Sequence, residues 1–341
     1  MKRWLPILLS SGMVCLPALC HADSLGIAGA FNIVALGSGS TAGNISDNSD
    51  IGGRVAAAGQ ISVPVVGQSI INDQNGALAN GNIIVAGNGT TSGDHTSLGA
   101  NGNVFAFASD SSHFNFNGHS GSLTTTGSSP IDFSALRTTL DSESLSLGAL
   151  AANGQVLVHG QPGFPSGANP SFLALVGTDP NLNVFNITAA QLADVNHPLD
   201  IVVPAGSTVI INVDGTSLTL GGAIYIDGVQ VSETSDAGAN ILFNFDDATS
   251  VTLNGQLTAS LLAPFATIAG NSSIDGTIIA AAFNDNGEVH NAEFTGNLPG
   301  PPAAAPEPGS LLLLGSGLAA ITGLIARKKT LLAPQRAPYR S

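Results

Sequence analysis

An all-β, β-helix-like solenoid with one amphipathic helix packed alongside is the fold class the sequence predicts, and three observations predict it. The first is composition. The 341-residue chain holds 42 glycines and only 5% aromatic residues, and short Val, Ile and Ala runs alternate with Gly, Asn, Asp and Ser clusters. That is the pattern of many short strands joined by tight turns. The second is a repeat. Gly53-Arg54-Val55-Ala56-Ala57-Ala58-Gly59 is echoed by Gly81-Asn82-Ile83-Ile84-Val85-Ala86-Gly87 and by Gly102-Asn103-Val104-Phe105-Ala106-Phe107-Ala108, at offsets of 28 and then 21 residues. Downstream, Val251-Thr252-Leu253-Asn254-Gly255 matches Ser272-Ser273-Ile274-Asp275-Gly276, again 21 apart. Glycine at corners and small side chains within are what stacked coils with a narrow interior need. A β-sandwich whose strands are alike by chance is the competing architecture. The third is one departure from the strand pattern: Phe133, Leu136, Leu140 and Leu147 recur at helical spacing behind Asp132, placed as an N-cap after Pro130.

Taken in order, the chain starts with a secretory signal. Met1-Lys2-Arg3 is a basic start, Trp4 to Leu19 is apolar, and Cys20-His21-Ala22 ends on a small residue, so residues 1–22 read as a signal peptide cut after Ala22. A lipidation site at Cys20 is disfavoured by Leu19, where a small residue is wanted. Residues 23–299 form the β domain. Its helix ends at Gly148, and strands are expected at Gln155–His159, Ile201–Val203, Thr208–Val213, Ser217–Leu220, Ala223–Ile226, Ile241–Phe245, Leu257–Leu262 and Thr277–Ala282. The helix is expected to lie outside the solenoid and cover an apolar face. Residues 300–309 are a stiff Pro/Ala-rich linker. From Ser310 to Ala326 the chain is uncharged and leucine-rich; as a helix it spans about 26 Å, at the short end of what crosses a bilayer. Arg327-Lys328-Lys329 then reads as a cytoplasmic stop, leaving 330–341 as a cytoplasmic tail.

Both cysteines, both methionines and the single tryptophan fall in the signal peptide, so the exported body has neither cysteine nor lysine. Burial and backbone hydrogen bonding must hold it without disulfides. Arg54 and Arg137 face 23 carboxylates between Asp23 and Pro308, leaving the body at −21. Such a surface excludes nucleic acid as a partner and disfavours anionic lipid or sugar without bridging cations.

Catalytic candidates are few. Asp246-Asp247 is the one adjacent carboxylate pair, but neighbours on a strand face opposite ways, and a turn or cap role competes. Arg137 stands four before Asp141 as a local helical ion pair, and Arg54 is suited to neutralising Asp50. His113, Asn115, Asn117 and His119 would share one face of an extended strand, with no carboxylate nearby to complete a metal set. Asn284-Asp285-Asn286-Gly287 with Glu293 has part of a calcium-loop pattern, but Ala282 stands where the first charged ligand belongs. Weak Ca2+ binding by another geometry stays open; otherwise no cofactor, metal site or catalytic residue is assigned. Thr124-Thr125-Thr126, Thr216 and Thr219 are not in the Thr-x-Thr register of an ice-binding face. His290 suits a structural hydrogen-bonding role, with a catalytic one as the alternative.

Two resemblances add location. Pro306-Glu307-Pro308, the short span with Gly315 and Gly317, and Arg327, Lys328 and Lys329 together resemble the PEP-CTERM sorting signal over 306–329. The resemblance implies export in a Gram-negative-type bacterium, recognition by an exosortase at the inner membrane, and cleavage near the motif. It also implies association with exopolysaccharide and biofilm. Ser49-Asp50-Ile51-Gly52-Gly53-Arg54-Val55-Ala56-Ala57-Ala58-Gly59, Ile241-Leu242-Phe243-Asn244-Phe245, Leu261-Leu262-Ala263-Pro264-Phe265-Ala266, Glu288-Val289-His290 and Phe294-Thr295-Gly296 are similar to the choice-of-anchor A domain. That resemblance implies a surface or matrix protein joined to the envelope by an interchangeable anchor. The expectation is a non-enzymatic structural or adhesive protein of the envelope or extracellular matrix, with exopolysaccharide or copies of itself as further partners. A carbohydrate-binding module or carbohydrate-active enzyme on a solenoid is the alternative.

Overall fold

The computed structural model describes residues 25–67, 81–85, 96–99, 102–106, 114–125, 129–166, 168–169, 172–192, 198–221, 223–232 and 236–300. The signal peptide 1–22 with its cut after Ala22, the sorting residues Pro306, Glu307, Pro308, Arg327, Lys328 and Lys329, and the span 310–326 lie outside them. Among the described residues no helix is long and apolar enough to cross a membrane.

Nearly every strand pairs in parallel with the strand one coil away, which is the solenoid arrangement. One inward rank shows how the coils stack. Phe185, Ile211, Phe243, Leu261, Ile278, Ile33, Val55, Ile83, Val104 and Leu123 are successive register partners across the longest sheet. All but Leu123 are buried. Apolar neighbours along a rank stack at the ~4.8 Å strand spacing, so the interior is a continuous column of contacts rather than one central cluster.

The coils do not follow chain order. Strands Leu123–Thr125, Asn103–Ala106, Gly81–Val85, Val55–Ala57 and Ile33–Ala35 are followed in the sheet by Ile278–Asp285, Ser260–Gly270, Ile241–Asn244, Thr208–Asp214 and Leu182–Thr188. The first coils therefore wind outward from the middle, and the last wind back from the far end. They meet where Ile33–Ala35 and Ile45–Asp47 pair with Ile278–Asp285. Asn32 fastens this seam, its Nδ2 donating to the carbonyls of Gly276 and His290.

The helix Phe133–Gly148 joins the two halves, and it is capped as expected: Asp132 accepts from the Ser134 and Ala135 amides. At ~1.5 Å per residue it runs about 24 Å, roughly five strand spacings. Phe133, Leu140 and Leu147 pack with Val34, Val184, Ile210, Leu242, Leu262 and Ile279 on the outside of the long sheet. The last helical turn is latched by an amide ladder whose inner members, Asn212 and Asn244, are buried. Asn212 donates to the Leu147 carbonyl and to Asn186, and Asn244 donates to the Ser144 carbonyl and to Asn212. Ser144 Oγ donates back to Asn244 at 2.6 Å. Replacing Asn244 by Ala strands these buried groups and is expected to cost about 2 kcal/mol, read as a lower urea midpoint with unchanged slope.

The 28- and 21-residue offsets match the register of Val55, Ile83 and Val104. The downstream 21-residue match does not. Leu253 pairs with Gly270, Leu257 with Ile274 and Leu261 with Ile278, a step of 17. Strands Ser260–Gly270 and Ile278–Asp285 each run across two faces, with a register shift between Ala263 and Thr267, so corner turns there are shorter than in the first half.

A charge-free face as the candidate functional site

Beside the helix-covered face, a second face is built from strands Ile61–Ser62, Ile45–Asp47, the far half of Ile278–Asp285, the far half of Ser260–Gly270, Ser250–Leu253 and Ser217–Leu220. Ile45, Phe283, Ile268, Val251 and Leu218 point inward and are buried. Strand alternation therefore turns their neighbours outward. One outward rank runs Ser62, Ser46, Asn284, Ala269, Thr252, Thr219. Another runs Ala282, Thr267, Ser250, Ser217. These residues are half-buried or exposed. Neither rank holds a charged or aromatic side chain.

In-register pairing spaces these groups about 4.8 Å apart along a rank and about 6.7 Å between ranks. A third row edges the face: Asn48 donates to Asn286, and Asn286 donates to Asn271, on three successive coils. The result is a two-dimensional array of hydroxyl, amide and methyl groups.

The residues singled out from sequence lie elsewhere or play other parts. Thr219 belongs to the first rank, where it pairs with Thr252 and Thr252 with Ala269, so the rank does not repeat a Thr-x-Thr. His290 is held between carboxylates: Nδ1 lies 2.7 Å from Asp275 Oδ1 and Nε2 lies 3.4 Å from Glu288 Oε1. Its carbonyl also accepts from Asn32, so it serves the seam. Asp246 and Asp247 sit in the bend after Ile241–Asn244. Burial pushes the Asp246 carboxyl above its ordinary range, with Asp247 and Asp214 adding to the shift, while Asp247 accepts from the Gly215 amide. Both anchor a turn. Arg137 donates to the Gly37 carbonyl at 2.9 Å, and its charge opposes the upward push of burial on Asp141. Arg54 is buried at 4% exposure. The strand expected through His119 is confined to Phe114–Asn115, because Asn117 turns with φ 50° and Gly118 with φ 81°; His113 lies outside the described residues. Among the described residues no group of three or more His, Cys, Asp or Glu side chains is placed to hold a metal ion.

The ranks escaped sequence reading because their members are not evenly spaced along the chain. Asn48 and Asn286 touch across 238 residues. The signal available was the clustering of Ser, Thr, Asn and Ala between buried Ile, Val and Phe in those short segments.

Residues 24–291 match the sequence profile of an ice-binding-like adhesive domain, and residues 304–329 match the PEP-CTERM protein-sorting motif. No curated protein matches the chain. Among solved structures, an ice binding protein from an Antarctic biological consortium is 12% identical, with 84% of this chain and 93% of that one covered and a TM-score of 0.34. An ice-binding protein from the Antarctic ascomycete Antarctomyces psychrotrophicus is 14% identical, covering 80% and 98%, with a TM-score of 0.30. One from an Antarctic Flavobacteriaceae bacterium is 12% identical, covering 75% and 64%, with a TM-score of 0.28.

Proposed function

Since this chain belongs to the ice-binding-like adhesive domain family and carries a PEP-CTERM protein-sorting motif behind that domain, we propose that it is an exported, non-enzymatic surface adhesin that lays its charge-free face against a neutral, ordered, hydroxyl-bearing solid. The observation that carries this reading is the contrast between the face and the rest. The body carries a formal charge of −21, which disfavours anionic partners, yet two full ranks of this face hold only Ser, Thr, Asn and Ala. Fixed hydroxyl and amide spacing favours a partner whose own hydrogen-bonding groups repeat, such as neutral matrix polysaccharide. Ice is the second such partner, and the family name favours testing it. The lack of aromatics in the ranks argues against stacking on single sugar rings.

The two termini supply delivery in this reading. The signal peptide is cut after Ala22, residues 310–326 hold an intermediate in the inner membrane, and Arg327, Lys328 and Lys329 stay inside. An exosortase recognises Pro306, Glu307 and Pro308 and releases the body to the envelope or biofilm matrix. The resemblance to choice-of-anchor A proteins supports the same destination.

Adsorption tests the contact. Purified protein is expected to be retained on insoluble neutral glucan, on slowly grown ice, or on both, with retention unchanged in 1 M NaCl, because no charge lies in the contact. Release by salt, or preference for an anionic gel, would refute it. Intact-mass measurement of protein recovered from envelope and medium tests delivery, with loss of everything beyond the Pro-Glu-Pro region expected.

A further inference from the structure

The seam between the first and last coils holds a pair of buried carboxylates. Asp47 ends strand Ile45–Asp47, Asp285 ends strand Ile278–Asp285, and the two are register partners on adjacent parallel strands. Both follow the inward parity of Ile45 and Phe283, and they are 2% and 1% exposed. Oδ1 of Asp47 accepts from the Ser49 amide at 2.8 Å, and Oδ1 of Asp285 accepts from the Ser272 amide at 3.4 Å. Oδ2 of each is buried with no hydrogen-bond partner among the described residues. Among the described residues the next coils offer no cation there: on one side Val63 comes directly after Ser62, the partner of Ser46, and on the other lies Gly270, whose missing side chain leaves room for the Asp285 carboxylate. The charged group facing the pair from the third face is Asp50, another acid.

Two carboxylates on neighbouring strands, each with an idle oxygen and no cation opposite, cannot both stay ionised cheaply. We propose that Asp47 and Asp285 share one proton, in a carboxyl–carboxylate clasp that fastens the first coil to the last and slackens when the medium turns alkaline. Asp47 is the donor: burial drives its carboxyl up to about 7, with Asp285 and Asp50 adding to the effect. Asp285, raised by burial but held by the amides of Asn286, Ser272 and Gly287, accepts.

The sign follows from linkage. A carboxyl that binds its proton more tightly when folded stabilises the fold fully below the ordinary carboxylate range, and that contribution is lost as pH rises through about 7. The test compares the full-length chain with Asp47→Asn, whose amide donates to Asp285 at every pH. Between pH 5 and 8 the wild-type Tm should fall by several degrees more than the variant's, and at pH 8 the variant should be the more stable. Hydrogen exchange of the wild type gives an independent readout. Corrected for intrinsic rates, amides of 45–47 and 283–285 should open about tenfold more readily at pH 8 than at pH 5, relative to Thr208–Asp214. Equal pH slopes in the two proteins, or seam protection that does not change with pH, would overturn the clasp. So would rescue of the wild type at pH 8 by added Ca2+, which would make the bound species a metal ion.

Discussion

A single methyl group at position 276 is expected to cost the fold about 3–5 kcal/mol. A Cβ on Gly276 would sit 2.1 Å from the Ala259 carbonyl oxygen and 2.5 Å from its carbon. Both atoms belong to the backbone of the adjoining coil, so no flexible side chain can move aside. Relief requires lifting one coil off the next, which breaks the ladder beside Asn32 and the first strand. Gly276→Ala should therefore lower the urea midpoint steeply. Gly300→Ala, with nothing within 4 Å of the added carbon, should leave it unchanged. Equal midpoints for the two variants would show that the coils are not in contact at this corner.

The second large effect concerns adhesion. Thr252 and Ala269 are register partners in the middle of the outward rank, both half-exposed. Thr252→Glu combined with Ala269→Glu places two carboxylates about 4.8 Å apart in the centre of the neutral array. Adsorption to the neutral solid should fall at least about tenfold, the equivalent of losing 1.4 kcal/mol of contact energy. Thermal stability should change little, since both side chains reach solvent. Ser142→Glu, on the exposed side of the helix, adds charge away from the face and should leave adsorption intact. Retained binding by the double variant would remove this face from the proposed function.

What could be read from the sequence was whatever repeats locally. Asp132 and the spacing of Phe133, Leu140 and Leu147 fixed the helix to within a residue, because capping and helical periodicity act over a few positions. The register of Val55, Ile83 and Val104 was legible because those coils follow one another directly in the chain. The 21-residue match from Val251 failed for a physical reason: it aligned strand Ser250–Leu253 with strand Ile274–Asp275, which belongs to a different sheet, and the coils there are only 17 long. The outward ranks and the Asp47–Asp285 pair lay beyond reach, since Ser46 meets Asn284 only after the chain has wound away and returned. The amide ladder of Asn186, Asn212 and Asn244 was hidden similarly, at offsets of 26 and then 32 residues.

The meeting of the earliest and latest strands in mid-sheet also dictates when the protein can fold. Until the segment around Ala280 has been synthesised and has joined it, Ile33–Ala35 presents an unpaired edge and the first half lacks the neighbour it stacks on. Such distant pairing is slow to form and leaves aggregation-prone edges waiting. Maturation is thus coupled to the arrival of the carboxyl-terminal segment: a truncated product ending before residue 278 would lack the strand that closes the structure, and chaperones would have to shield it rather than a finished domain.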